Sequence, residues 1–183
     1  LLQNSTVDAN PSASTDLSRN GVGAIRVDAA AALTSYASPG GISFGRVNPR
    51  VVDDEFARVT LTNMARGQRT FAVTHVPHNG YPGVTVICPG SVSVGGRGSR
   101  SFAVRLHFDP AAAVAAGAFD GASASQTEVD GWCVLDDGKD SLRVGYMAVV
   151  DPASGMQVER SAGGHAVDVR NRGPAPGFAE GFT

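Results

Sequence analysis

Long apolar runs are missing from this sequence of 183 residues, and none approaches the roughly 20 residues that a helix needs to cross a bilayer. A membrane-spanning helix is therefore not expected. A dominant sign of charge is missing too: 15 Lys+Arg stand against 17 Asp+Glu, for a formal net charge of -2. Without a broad positive field, neither nucleic acid nor an anionic membrane is expected as a partner. Lysine is almost absent, Lys139 being the only one, and the basic side chains are otherwise arginine. Cysteine is limited to Cys88 and Cys133. That pair fits one disulfide in an oxidising compartment, or two buried thiols in any compartment.

What is present is enough chain for one domain of ordinary size with flanking pieces. Near the front, Asn20 to Tyr36 reads as a Gly-x-Gly turn leading into an alanine-rich helix, with Asp28 placed to cap it. From Pro39 the pattern changes to the period-2 alternation of half-buried strands. Eight strands are expected. Ile42 and Phe44 share a face in the first, Val59 and Leu61 in the second, Phe71, Val73 and His75 in the third, and Val84, Val86 and Cys88 in the fourth. Val92 and Val94 make a short fifth, and Phe102, Val104, Leu106 and Phe108 alternate through the sixth. Pro77, Pro82 and Pro89 mark breaks. Asp109-Pro110 then opens a short helix. Residues 128–135 and 142–150 form a closing hairpin, with Gly138 supplying the positive φ of its turn. Seven or eight short strands with regular turns argue for an all-β, antiparallel two-sheet sandwich.

Several stretches imitate active sites. Gly41-Ile42-Ser43-Phe44-Gly45 satisfies G-x-S-x-G, but the nucleophile elbow lies between a strand and a following helix, whereas here a strand runs through Ser43 itself. His75 and His78 with distant His107 suggest a metal set, yet Pro77 breaks any helix that would align the pair. Asp136 to Asp140 clusters carboxylates around Gly138, but the twelfth position of an EF-hand loop would be Met147, so a solvated turn is expected. Asp53-Asp54-Glu55 reads as an exposed loop. Gly95 to Arg100 could cradle a phosphate only if a helix followed, and a strand follows. No catalytic, metal or cofactor residue is therefore assigned, and no cofactor is expected.

The front of the chain, Leu1 to Thr6 with the Asn20–Tyr36 segment, resembles the closing helices of the catalytic domain of subtilisin-like serine proteases. The chain from Pro39 to Pro152 is similar to the fibronectin type III-like domain of the large secreted members. That similarity is carried by residues 38–45 (S-P-G-G-I-S-F-G), 59–63 (V-T-L-T-N), 129–135 (V-D-G-W-C-V-L) and 142–146 (L-R-V-G-Y). The family usually has proline where this chain has Gly145. The resemblance implies residues 1–38 as the tail of a catalytic domain, 39–152 as a fibronectin type III-like sandwich, and 153–183 as a linker with the start of a further β-domain. It implies that the triad and the G-T-S-M segment lie upstream of Leu1, and no G-T-S-M occurs within these residues. The expected function is thus a non-catalytic accessory domain of a secreted or extracellular, even cell-wall-associated, serine endopeptidase. Its partners would be the catalytic domain of the same polypeptide and protein or peptide substrates. A stand-alone adhesion or ligand-binding sandwich is the alternative, since fold does not fix function.

By strand parity Cys88 and Cys133 both face inward. Inward placement permits a bridge, while the frequency with which cysteine is buried unpaired favours two thiols. Trp132 then lies on the opposite face, against a loop, the small helix or the catalytic domain.

Overall fold

A computed structural model describes residues 1–7, 17–47, 53–116, 127–150, 156–160 and 167–171. The alternating apolar positions build two facing sheets. The first contains β1 (Ser35–Ser38), β3 (Asp53–Asn63), β7 (Ser99–Phe108) and β5 (Val84–Ile87), in that spatial order and antiparallel throughout. The second runs β2 (Gly41–Val47), β9 (Ser141–Val150), β8 (Thr127–Asp136), β4 (Arg69–Asn79) and β6 (Ser91–Val94). A separate antiparallel pair, β10 (Met156–Arg160) with β11 (Val167–Asn171), comes after β9 in the chain.

The sandwich is all-β as the alternation implies, and its inner faces meet in one core. Val104, Leu106 and Phe108 of β7 are buried against Phe71, Leu135, Leu142 and Val144 of the second sheet. Each such side chain contributes roughly 1.5–3 kcal/mol relative to exposure. The hairpin of β8 and β9 pairs in continuous register from Thr127↔Val150 to Asp136↔Ser141, and Gly138 in its turn has φ +81°. After β7, Asp109 caps α3 (Pro110–Ala115): its Oδ1 accepts the N–H groups of Ala111 at 2.9 Å and Ala112 at 3.2 Å. The helix sits on Gly83 (φ +77°), where a Cβ would strike Asp109 O and Ala113 N.

Several expectations are corrected. The second sheet is mixed, because β2 runs parallel to β9. The chain crosses from β1 in one sheet to β2 in the other through Ser38-Pro39-Gly40, so no hairpin dictates an antiparallel partner. Nine strands, not eight, form the sandwich among the described residues, the extra one being β1. The alanine-rich helix α2 (Val27–Ala32) stops before Tyr36, which belongs to β1, and Asp28 lies within its first turn rather than capping it. The residue before the helix is Arg26, whose guanidinium pairs with Asp28 at 2.6 Å. Finally, Asp53-Asp54-Glu55 opens β3 rather than a loop, and Pro77 lies within β4 at a register shift, a position that tolerates a missing N–H.

Candidate functional site

The feature that gathers most of the buried polar groups is a seam between the front segment and the sandwich. Leu2–Ser5 forms a 3-10 turn and α1 (Leu17–Asn20) a single helical turn. Both lie against β9. Asn4, 1% exposed, bridges three pieces of chain: its Oδ1 accepts Ala37 N–H at 2.9 Å and its Nδ2 donates to Arg143 O at 3.0 Å. Asp130 is fully buried on β8, where an unpartnered carboxylate would cost several kcal/mol. Its Oδ2 accepts Leu17 N–H at 2.7 Å, and its Oδ1 accepts Asn79 N–H at 2.9 Å beside His78 Nδ1 at 3.0 Å. Glu128 Oε1 accepts Ser18 N–H at 2.9 Å. Thr6 Oγ1 donates to Val22 O at 2.6 Å, and Val7 bridges Ala24 through its own backbone.

Small residues make room for the seam. A Cβ on Gly145 would lie 2.8 Å from Val22 Cγ1 and 3.0 Å from Leu17 Cδ2, and one on Gly40 would lie 2.6 Å from Gln3 Cβ. The glycine at position 145, where the resembled family has proline, is thus the surface on which Leu17 and Val22 rest.

A second polar knot joins the same segment to the β8–β9 turn. Arg69 on β4 bonds both oxygens of Asp137, and its Nη1 donates to Asp140 Oδ2 at 2.6 Å, Thr34 Oγ1 at 2.6 Å and Ser35 Oγ at 3.0 Å. Asp140 Oδ2 also accepts Thr34 N–H at 3.0 Å. The Asp137, Asp140 and Arg69 side chains are each less than one-tenth exposed, so the turn is solvated only at Asp136, Gly138 and Lys139, and two of its carboxylates are drawn into the fold. Burial pushes the Asp137 carboxyl up, but hydrogen bonds from Arg69 and from the Asp140 and Lys139 N–H groups outweigh it and hold it below the usual carboxylate range. The Asp137 hydrogen bond, helped by Asp140, raises Arg69 against its desolvation.

The stretches that imitate active sites do not assemble into one. Ser43 is exposed, and its Oγ accepts only the Gly45 N–H at 3.2 Å among the described bonds. His75 Nε2 meets the Tyr146 hydroxyl at 2.7 Å, His78 meets Asp130, and His107 Nδ1 meets Asp54 Oδ1 at 2.8 Å, so the three histidines are separately engaged. Burial lowers His75, and burial aided by the Asp130 charge raises Tyr146. Among the described residues no three His, Cys, Asp or Glu side chains come together to hold a metal. Gly95 to Arg100 is a turn tied down by Asn63 Nδ2 on Gly95 O at 3.1 Å and by Arg97 N–H on Ala65 O at 2.8 Å, and it opens β7.

Cys88 and Cys133 form a disulfide with Cα atoms 6.1 Å apart. The two-thiol expectation is thereby corrected: Cys88 comes just after β5 of one sheet and Cys133 lies on β8 of the other, so their inward side chains meet across the core. Trp132 faces outward between His78, with ring centroids 5.8 Å apart, and the Arg143 guanidinium at 5.6 Å.

The outer side of the front segment is apolar. Leu1, Leu2, Val7, Ile25 and Val27 are 40–67% exposed, and they are five of the nine large exposed hydrophobics among the described residues. Leu1, Leu2, Gln3, Tyr36 and Ser38 also line a shallow cavity of about 420 Å³. The segment therefore has a polar-anchored inner side and an apolar outer side.

No family model matches the sequence, and no curated protein matches it. Among solved structures, the chain is similar to the PapD-like domain 7 of human CEP192 at 12% identity and TM-score 0.44, over 66% of this chain and 87% of that one. It is also similar to the CsuC–CsuE chaperone–tip subunit complex of Acinetobacter baumannii Csu pili at 8% identity and TM-score 0.39, over 78% of each chain. A third likeness is to the VesB protease of Vibrio cholerae at 13% identity and TM-score 0.37, over 64% of this chain and 32% of that one. At identities and scores this low, nothing of their chemistry carries across.

Proposed function

We propose that this chain is a non-catalytic accessory sandwich of a secreted subtilisin-like serine endopeptidase, joined to the closing segment of the catalytic domain. The observation that carries the reading is the two-sided front segment. Asp130, Glu128 and Asp140 hold its backbone to the sandwich and the Asn4 side chain bonds the backbone of β1 and β9, while Leu1, Leu2, Val7, Ile25 and Val27 turn outward, as a surface covered by a catalytic body would. Sandwich and catalytic body would then move as one unit, fixing how protein substrates reach the protease. Triad chemistry needs a serine, a base and an orienting carboxylate in contact. Ser43 has neither partner among its described bonds, so the chain contributes position and not bond cleavage. The inter-sheet disulfide supports an extracellular setting.

The test is active-site labelling. A fluorophosphonate reagent applied to the native-length polypeptide should label a serine outside these 183 residues, while this chain alone takes no label and leaves casein intact. Labelling of Ser43, abolished in Ser43→Ala, would overturn the reading. A native-length polypeptide that takes no label would leave the adhesion or ligand-binding sandwich in its place.

A further inference from the structure

Two Asn-Gly dipeptides occur in the sequence, Asn20-Gly21 and Asn79-Gly80. Asn79 donates its own backbone N–H to the Asp130 carboxylate, and so does Leu17, which begins the helical turn that Asn20 ends. Asn-Gly is the step at which the following backbone nitrogen most readily reaches the asparagine side-chain carbonyl carbon, because glycine places no side chain in the way. The fold treats the two steps differently. Gly21 N–H donates to Leu17 O at 2.7 Å, which commits that nitrogen to the helical turn. Gly80 comes after the last residue of β4, outside the ladder, and a Cβ built on it would meet nothing within 4 Å. The Asn79 Nδ2 lies 3.3 Å from His78 Nδ1.

We propose that Asn79 is a site of spontaneous deamidation in the folded chain, whereas Asn20 is protected. The Gly80 nitrogen, giving its proton to solvent base, bonds to Asn79 Cγ; the Cγ–Nδ2 bond breaks, and the amide nitrogen leaves as ammonia with a proton drawn from solvent. Water then opens the five-membered imide at either carbonyl, leaving an aspartyl or isoaspartyl linkage at position 79. The product places a new carboxylate beside His78, whose Nδ1 lies 3.0 Å from fully buried Asp130. The isoaspartyl form also lengthens the main chain where the Asn79 N–H meets Asp130 Oδ1. Either change weakens the carboxylate that holds Leu17, so chemical ageing at this one position loosens the seam.

The experiment incubates the chain under mildly alkaline conditions and follows each Asn-Gly peptide by mass mapping and by isoaspartyl methyltransferase labelling. The expected result is a gain of about 1 Da at position 79 with none at position 20, the size set by exchanging an amide for an acid. A urea-unfolded control should gain at both, and Asn79→Gln should remove the folded-state signal. A folded chain that gains first at position 20, or that gains at neither while the unfolded control gains at both, would overturn the proposal.

Discussion

Reduction of the Cys88–Cys133 bridge is the perturbation whose magnitude the structure fixes most directly. The bridge closes a loop of sequence separation 45. Cross-linking at that separation removes chain entropy from the unfolded state worth about 4 kcal/mol at 25 °C by the loop-closure relation. Domains of this kind are stable by only about 5–15 kcal/mol in total, so the loss is a large share. Little should be lost from the folded side, because Cys133 is fully buried and a reduced thiol there remains a small apolar group. The assay is urea unfolding of the oxidised chain, the chain held in reductant, and the Cys88→Ala/Cys133→Ala double variant. Both altered forms should unfold at lower urea by an amount near that figure, with an unchanged or larger m-value as the freed unfolded chain expands. A shift below about 1 kcal/mol in the reduced chain would refute the reasoning, since the bridge would then add no effective constraint.

Arg69→Met should leave Asp137 and Asp140 buried without their cation and cost about 3–5 kcal/mol in the same unfolding experiment. The pH dependence has two parts. His75 has its value lowered from 6.5 by burial, so the unfolded chain binds the extra proton and stability should fall as pH drops from about 6.5 toward the folded value. Asp137 is lowered from 3.8, so its contribution is complete above that value and is lost as pH falls through the folded one; thermal melts across the acid range should show both steps, and His75→Phe should remove the first. Gly145→Ala should push Val22 and Leu17 off β9 and lower the melting temperature by the equivalent of about 1–3 kcal/mol, whereas Gly67→Ala, which meets nothing within 4 Å, should not.

The strands were legible where one face is apolar and the other polar. β7 and the β8–β9 hairpin obey the alternation, and the Asp109 cap is a local device visible in sequence. β1 was not legible, because Ser35-Tyr36-Ala37-Ser38 has little alternation and comes after an alanine run; its strand character comes from pairing with β3, residues 60–63. The parallel placement of β2 depends on the crossing between sheets, which no local pattern encodes. Asp130 lies on an outward position of β8, so its burial depends on α1 and His78 arriving over it from far along the chain. Arg69 reaches carboxylates 68 and 71 residues away, and only the closed fold brings the three together. The family resemblance at the front pointed to a segment distinct from the sandwich, and it carried no sign that Asn4 and Asp140 would fasten that segment to it.

Site-resolved amide hydrogen exchange tests the central claim most directly, because Leu17, Thr34 and Ala37 each donate a backbone N–H to a side chain that crosses the seam. The account predicts that these three amides exchange as slowly as those of Leu106 and Val144 in the core strands, and that Asp130→Asn accelerates Leu17 while leaving Leu106 unchanged. Exchange at Leu17, Thr34 and Ala37 as fast as in an unstructured peptide would contradict it, since the front segment would then not be held by the sandwich.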